Sequence, residues 1–472
     1  GAGGVGGGIQ RILSNGTIIW NYIISDSIYQ HHHDIEVLPN GNILILVWER
    51  KSAIEAESVG RQIIESELNE VWAPAILELE PETGNISWEW HMWNHLIQNV
   101  DTSLTNYGNI SENHQLMDIN YGVIGSIGGA NGDWMHINSI DYNAMLDQIV
   151  ISSRSMNEFY IIDHSTTIEE AVSHTGGLYG KGGDFLYRWG NPQAYNIGSI
   201  TDQIFEFQHD AHWIPSGLPD EGKIMIFNNG QQRGYSSIDI IEPPLDTNNS
   251  NNYILTNSTT PYGPLNLYWS YSDSINFYSA FISGAQQLEN GNILICSGAQ
   301  GKIFEIEYQT DSVVWDYIIP MVGPNPITQG TTPSPFGNIC FRGQRFSPSY
   351  SGFNNLVLTP STVIELNPLP STCQIYISGC TDNLACNYDP LANINDGSCN
   401  YNSTSYDTLV SAISINWNGL TLNNSGDYSV TLINSVGCDS IANINFTLQL
   451  LGTHDIASSK VRTLIRITDM LG

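Results

Sequence analysis

Three histidines hold the same position in three long, similar stretches of this chain. Each stretch has a strand–turn–strand pattern, and His33, His136 and His209 each lie four residues before an apolar residue. A fourth stretch of the same form has Gly284 at that position. If the stretches are repeats of one structural unit, equivalent positions converge on one cavity, so we expect the three histidines to meet. The alternative is three separate turn residues, which does not explain their shared register.

Two further polar residues accompany the second histidine. Asn138 follows His136 by two, so on a strand both side chains point to the same face. Arg154 ends the returning strand, and the chain has only 15 Lys plus Arg in total. A basic residue at that place is therefore a candidate for the cavity. The alternative is an ion pair with Asp141 or Glu158.

These residue types suit the transfer of an anionic group. Neutral imidazole is a nucleophile and a general base near neutral pH. The planar guanidinium fork of arginine matches the oxygens of sulfate or phosphate. Amide and imidazole donors stabilise charge on the transferring oxygens. A three-histidine metal site is the competing chemistry, although a nearby arginine disfavours a bound cation.

Short strands must position these residues. Residues 1–365 have little helical periodicity, and their apolar runs are separated by turn signals such as Asn15-Gly16, Asn40-Gly41 and Asn290-Gly291. At roughly 50–60 residues per blade, this length gives about six to seven blades. The sequence therefore predicts an all-β protein in which residues 1–365 form a β-propeller.

The composition excludes several classes of partner. The 472 residues include 15 Lys plus Arg and 47 Asp plus Glu, for a net charge of −32, which disfavours binding to nucleic acid and to anionic membranes. We expect no transmembrane helix, because no run of 18 apolar residues occurs. We expect a mature or truncated start, because the glycine-rich first residues lack signal-peptide features. The last residues stop inside an apolar segment, so we expect an incomplete end.

The last hundred residues differ in texture and contain five of the seven cysteines. Clustered cysteines in a small polar module suggest disulfides and an oxidising compartment, with free thiols or a metal site as the alternative. We expect an acidic, Cys-rich linker module at 366–402, a small β domain at 403–452, and the start of another module at 453–472. The linker module also offers oxygen ligands for Ca²⁺, although a disulfide-closed spacer would have the same composition. The candidate calcium ligands are Asp382, Asp389, Asn393, Asn395 and Asp396.

Several long runs resemble the arylsulfotransferase family, in order, over about residues 10–320. They include DWMHINSIDYNAMLDQIVISSR (133–154), HTGGLYGKGGDFLYRWGNP (174–192), QHDAHWIP (208–215) and FISGAQQLENGNILICSGAQGKIFEI (281–306). The resemblance implies a six-bladed propeller. It also implies that a sulfo group moves from an aryl sulfate ester to a phenolic acceptor, with no nucleotide sulfate donor and no other required cofactor.

The resemblance also assigns roles to individual residues. It implies that His209 becomes a transient sulfohistidine, and that His136, Asn138, Arg154 and an early histidine complete the catalytic set. The early histidine corresponds to His33 or His32, and the repeat register favours His33. We place His32 with His212, which breaks the register, among the candidate substrate-binding residues.

The tail resembles modules of secreted proteins from Bacteroidetes-like bacteria. Residues 380–399 are similar to short acidic Cys motifs, and residues 435–450 to a small β repeat found beside them. Residues 460–472 look like the truncated start of a C-terminal sorting domain of the type 9 secretion route. These resemblances imply a protein that is exported and attached to the cell surface.

Two other functions fit the sequence. A non-catalytic surface propeller that binds a glycan or matrix ligand is suggested by the exported, modular tail. A metal- or quinone-dependent propeller oxidoreductase is the third hypothesis.

Overall fold

The structure is a computed structural model of the chain. It describes residues 3–125, 130–246, 252–255, 259–331, 336–354, 356, 363–368, 378–392 and 394–449. The chain consists of two compact units, Gly1–Pro368 and Leu369–Gly472, and each is described by itself.

Antiparallel four-stranded sheets make up most of the first unit. A short hairpin precedes them and consists of β1 (Gly8–Ile12) and β2 (Ile18–Ile23). The first sheet contains, in spatial order, β3 (Tyr29–Val37), β4 (Ile43–Ser52), β5 (Glu70–Leu79) and β6 (Ile86–His91). A parallel pair follows, β7 (Leu96–Ile97) and β8 (Met117–Asp118).

The next three sheets repeat this up-and-down order. The second sheet contains β9 (Ile137–Asn143), β10 (Gln148–Ser153), β11 (Glu158–Asp163) and β12 (Tyr187–Trp189). The third sheet contains β13 (His209–Trp213), β14 (Ile224–Asn228), β15 (Ser237–Ile241) and β18 (Trp269–Ser272). A separate hairpin, β16 (Leu245–Asp246) with β17 (Asn252–Tyr253), lies between β15 and β18 in the chain. The fourth sheet contains β19 (Gly284–Gln287), β20 (Ile293–Ser297), β21 (Lys302–Ile306) and β22 (Val313–Ile318). A short pair, β23 (Met321–Val322) and β24 (Asn325–Pro326), follows it.

Helices are short and lie in the connections. Two are α-helical, α1 (Ala53–Ser58) and α2 (Ile168–Ala171). The others are single 3₁₀ turns at Met92–Asn94, Ile110–Glu112, Pro192–Tyr195, Ile200–Asp202, Gly298–Gln300 and Ser351–Phe353. None of the helices in the described residues has the length and apolarity that crossing a membrane requires.

The predicted Asn-Gly turns close three of the hairpins. Between β3 and β4, the Asn42 amide donates to Oδ1 of Asn40 at 2.9 Å. The turn between β19 and β20 repeats this contact, since the Asn292 amide donates to Oδ1 of Asn290 at 3.0 Å. Asn15 accepts from Thr17 in the same way between β1 and β2. These side chains complete the turns, which is why asparagine is favoured there.

Buried residues on both faces of each sheet form the core. On β14, Ile224 and Ile226 pack toward the second sheet, whereas Met225 and Phe227 pack toward the fourth. Successive side chains of a strand point to opposite faces, so a continuous apolar run suits a sheet covered on both sides. This explains why the strands read as apolar runs rather than as alternating patterns.

The first strands of the four sheets pack side by side in chain order, β3 on β9, β9 on β13 and β13 on β19. Such sheets, arranged around a common centre, form a β-propeller. The prediction of an all-β propeller is confirmed. The described residues contain four four-stranded sheets, and the count of six blades stays a prediction.

The second unit is a small β domain with disulfides. Its elements are β25 (Ser378–Gly379), β26 (Ile394–Asn395), β27 (Ser403–Ser411), β28 (Ile415–Trp417), β29 (Leu420–Leu422), β30 (Gly426–Ile433) and β31 (Asp439–Leu448). Cys380 pairs with Cys399, and Cys386 pairs with Cys438, so the predicted disulfides are confirmed. Cys373 and residues 453–472 lie outside the described residues.

Four of the five candidate calcium ligands are described, and each accepts a backbone N–H within a local turn. The donors belong to Leu384, Leu391, Gly397 and Ser398, and the acceptors to Asp382, Asp389, Asn395 and Asp396. Asn393 lies outside the described residues. The calcium site stays a prediction.

Candidate active site

The three predicted histidines meet at the centre of the propeller. The ring centroids of His33 and His136 are 4.5 Å apart. His209 is close enough to both rings to interact with them electrostatically. Each imidazole comes from the first strand of a different sheet, or from the residue just before it. The shared register in the sequence therefore brings these side chains together.

Irregular backbone aims the imidazoles. The pairing of β3 with β4 shifts between His31 and Ile35, and that of β13 with β14 shifts between His209 and His212. His33 and His136 have φ of 54° and 51°, in the left-handed region that costs non-glycine residues about 1–3 kcal/mol. Bulges of this kind redirect side chains beside functional sites.

His209 is held in one tautomer. Its Nδ1 lies 2.7 Å from Oδ1 of Asn229 and 3.1 Å from the Phe207 carbonyl oxygen. Both partners are acceptors, so Nδ1 carries the proton and Nε2 keeps a free lone pair. Burial lowers the pKa of His209 to about 3, and the neighbouring Arg154 acts in the same direction. The imidazole is therefore neutral near pH 7 and able to act as a nucleophile.

His136 is paired with a buried carboxylate. Its Nδ1 donates to Oδ2 of Asp133 in a short hydrogen bond, and its backbone N–H lies 3.2 Å from Oδ1 of the same side chain. Asp133 also accepts a hydrogen bond from Nε1 of Trp48 at 3.0 Å. A histidine whose Nδ1–H is held by a carboxylate keeps Nε2 available for proton transfer, and such a carboxylate stabilises the imidazolium form.

Arg154 brings a positive charge that has no carboxylate partner within ion-pair distance among the described residues. Its guanidinium stacks on the ring of Phe207, with Cζ 4.3 Å from the centroid, and burial lowers its pKa to about 10. The two carboxylates considered from the sequence are engaged elsewhere. Glu158 pairs with Arg188, and Asp141 accepts from the Trp213 amide at 2.7 Å.

His33 and His32 are neighbours on β3, and their ring centroids are 5.1 Å apart. The His33 ring faces His136, and burial holds its pKa well below the usual range. His32 is fully buried and stacks on Trp48 with centroids 4.2 Å apart. Their Nδ1 atoms are 2.9 Å apart. Thus His33 lies against His136 in the cluster, and His32 packs between His33 and Trp48.

Asn138 connects the second and third sheets. Its Nδ2 donates to the Gln208 carbonyl at 2.7 Å, directly before His209, and the residue is fully buried. Gln208 in turn donates to the carbonyl oxygens of Ser153 and Glu158. These contacts fix where β13 begins relative to Arg154.

His212 lies further along β13, beside a buried charged cluster. Its Nδ1 is 2.9 Å from the Asp210 carbonyl oxygen. Arg342 bridges Asp34 and Asp210 across two sheets, at 2.9 Å and 2.7 Å. Burial, together with the charges of Asp141 and Asp34, raises the pKa of the nearby Glu36 carboxyl to about 8.

A glycine-rich segment before β1 runs over the histidines. The His33 amide donates to the Gly4 carbonyl at 2.8 Å, and Val5 pairs with His32 in an isolated bridge. Gly4 has φ of 76°, and a Cβ atom there would overlap the His33 ring. Only glycine combines this backbone conformation with so close an approach.

Two site residues, Asp133 and Asn229, were not predicted from the sequence. Asp133 had a possible signal, because it precedes His136 by three residues in a buried run. Asn229 follows β14 directly and reaches His209 only through the pairing of β13 with β14. No spacing in the sequence identifies that contact.

Comparison with known proteins matches residues 7–321 to the family model described as arylsulfotransferase (ASST). A curated arylsulfate sulfotransferase of Lelliottia amnigena is 26% identical over 203 residues, which cover 39% of this chain. The match spans only 33% of that relative's length.

Solved structures give weaker likenesses. A protein of unknown function from Bacteroides caccae has a TM-score of 0.32 at 12% identity, over 66% of this chain and 74% of that one. A virginiamycin B lyase from Staphylococcus aureus has a TM-score of 0.29 at 11% identity, over 67% and 64%. At these scores the likenesses carry no argument about function.

Proposed function

The chain belongs to the arylsulfotransferase family, and from this premise we propose that it is an enzyme that moves a sulfo group from an aryl sulfate ester to a phenolic acceptor. In this proposal the group is carried as a covalent sulfohistidine on His209. The observation that carries the proposal is the hydrogen bond from Nδ1 of His209 to Asn229, because it leaves Nε2 unprotonated inside the histidine cluster.

In the first step, Nε2 of His209 attacks the sulfur of the aryl sulfate. An N–S bond forms, the S–O bond to the aryl oxygen breaks, and the phenolate takes a proton from Nε2 of His136. Asp133 stabilises the imidazolium that supplies this proton. In the second step, the now neutral His136 accepts the proton of a phenol, whose oxygen attacks sulfur and breaks the N–S bond.

Arg154 and His33 stabilise the group in transit. The guanidinium of Arg154 has no carboxylate partner among the described residues, so its charge is free to meet the sulfo oxygens. His33 lies edge-on to His136 and supplies a neutral donor or acceptor. Asn138 acts as a positioning residue, since its amide holds the backbone before His209.

We also propose that the protein works outside the cell. Two disulfides in the second unit suit an oxidising compartment. Attachment to the cell surface rests on residues 453–472, which lie outside the described residues.

The test is to incubate the purified protein with p-nitrophenyl sulfate alone and then with phenol. We expect release of nitrophenol together with a gain of one sulfo group on the intact protein, and loss of that group when phenol is added. His209→Ala should fold and give no adduct, whereas the control His91→Gln, which changes a histidine paired with Glu49, should behave like the wild type. A folded wild-type protein without adduct or turnover would instead favour the surface propeller that binds sulfated glycans.

A further inference from the structure

A second cluster of histidines lies outside the propeller centre, at His95, His174 and Asp184. One ligand atom from each of these residues lies within 4.8 Å of the others. Nδ1 of His95 and Nδ1 of His174 are each 2.8 Å from the same oxygen, Oδ1 of Asp184. None of the three residues contributes to the proposed transfer chemistry.

The other nitrogen of His95 is already used. Nε2 lies 2.9 Å from the Ala171 carbonyl oxygen, so Nε2 carries a proton. In a neutral imidazole, Nδ1 is then a bare lone pair facing a carboxylate oxygen in a fully buried place. A cation between the two acceptors resolves this conflict. An Nε2–H held by a backbone carbonyl is also the usual support of a metal-bound histidine.

The surrounding packing is built around the His95 ring. The ring stacks on Trp90 with centroids 5.8 Å apart. Nε1 of Trp90 donates to the Gly183 carbonyl at 2.7 Å. A Cβ atom on Gly183 would lie 2.6 Å from Nε2 of His95, so only glycine leaves room for the imidazole beside Asp184.

We propose that His95, His174 and Asp184 bind one divalent transition-metal ion of the zinc class. Two imidazole nitrogens and one carboxylate oxygen are ligands that Zn²⁺ accepts, at about 2.0–2.2 Å. A tetrahedral ion with such bonds separates its ligand atoms by about 3.3 Å, so the Asp184 oxygen must draw back from both Nδ1 atoms, which lie at 2.8 Å, and His174 must move outward with it. Its side chain is 59% exposed and is free to do so.

The site leaves a coordination position open to solvent. His174 borders a cavity of about 550 Å³ that is also lined by Trp93, Asn94 and Asn113. The ion would therefore have three protein ligands and a water molecule in the fourth coordination position. The ion would pin the long connection between β11 and β12, which contains His174 and Asp184, to the segment after β6.

The competing arrangement has no metal. His95 would then be an imidazolium that donates to both Ala171 and Asp184, with Lys181 near enough to share the charge of Asp184. Metal content distinguishes these arrangements directly.

The experiment uses the full chain, stripped with a chelator and then dialysed against Zn²⁺ or Co²⁺. We expect one ion per chain by elemental analysis, visible absorption bands of tetrahedral Co²⁺, and a higher melting temperature with Zn²⁺. His174→Ala removes an exposed side chain, so the protein should fold while its affinity for metal falls at least about 100-fold, on the scale of losing a ligand rather than its support. Asp184→Asn should weaken binding as well.

The matched control is His91→Gln, which changes a partly exposed histidine–carboxylate pair four residues before His95 and should leave the metal content unchanged. Wild-type protein that retains no stoichiometric metal would overturn the proposal. So would a His174→Ala variant that binds metal as tightly as the wild type.

Discussion

Nδ1 of His209 and Oδ1 of Asn229 are 2.7 Å apart, although the residues are separated by a whole hairpin turn. The Asn229 amide cannot turn round, because its Nδ2 donates to the carbonyl oxygens of Ser279 at 2.7 Å and Ile282 at 3.0 Å. Its oxygen must therefore face the imidazole. The connection that leads into the fourth sheet thus fixes the tautomer of a histidine on the third.

Replacing Asn229 tests this coupling. In Asn229→Ala the Nδ1 proton loses its strongest acceptor, so the ring samples the tautomer with a protonated Nε2. We expect sulfo-enzyme formation to slow by about 10–100-fold, the usual effect of losing a partner that orients a histidine. Single-turnover release of nitrophenol measures the rate. An unchanged rate would show that Asn229 does not set the tautomer.

Removing the charge of Asp133 should affect leaving-group protonation. Asp133→Asn keeps an oxygen near Trp48 but no longer stabilises an imidazolium at His136. We expect the rate to fall by about 100-fold or more for phenyl sulfate, and by less for p-nitrophenyl sulfate, whose phenolate leaves more readily without a proton. The ratio of the two kcat/KM values is the readout, and equal losses would contradict an acid role for His136.

The rate of transfer should depend on the planar shape of the Arg154 guanidinium as well as on its charge. Arg154→Ala removes the cation and should lower kcat/KM by about 1000-fold, in the range of an oxyanion-stabilising group. Arg154→Lys keeps the charge, but it loses the planar fork and the stacking on Phe207, so we expect an intermediate loss. If lysine restores full activity, the guanidinium acts only as a point charge.

Glu36 should make the fold sensitive to alkaline pH. Its pKa is raised to about 8 by burial and by the nearby carboxylates, so the folded state retains a proton that the unfolded chain releases above about 4.5. Stability therefore falls as the pH rises from about 4.5 to 8. Glu36→Gln should remove this loss and stabilise the protein by up to about 5 kcal/mol at pH 8.5, with little effect at pH 4.

Thermal melts across this pH range measure the effect. The exposed Glu67→Gln is the matched control, and its melting curve should follow the wild type at each pH. A Glu36→Gln variant with the same pH profile as the wild type would show that folding does not raise the pKa of Glu36.

Features that recur in several sheets could be predicted from the sequence, whereas features that depend on the pairing of neighbouring strands could not. The shared register of His33, His136 and His209 was visible because each lies on the first strand of a sheet or directly before it. The register did not predict the positive φ of His33 and His136. Such backbone irregularities depend on the partner strand as well as on the strand itself.

The contacts that set the tautomers of the histidines could not be predicted from the sequence either. Asn229 meets His209 only because β13 and β14 pair with a register shift. In the second unit, the cysteines predicted disulfides, but spacing alone cannot decide that Cys386 pairs with Cys438 rather than with Cys399.

The placement of one imidazole on each of three sheets has a consequence for protein engineering. No fragment that lacks one of these three sheets contains all three imidazoles, so activity reports the assembly of the sheets, and versions split between them regain it only when their halves reassemble. The outer strands β6, β12, β18 and β22 contribute none of these groups. Loops at that rim are therefore the places where a fused domain or an inserted peptide should leave the chemistry intact.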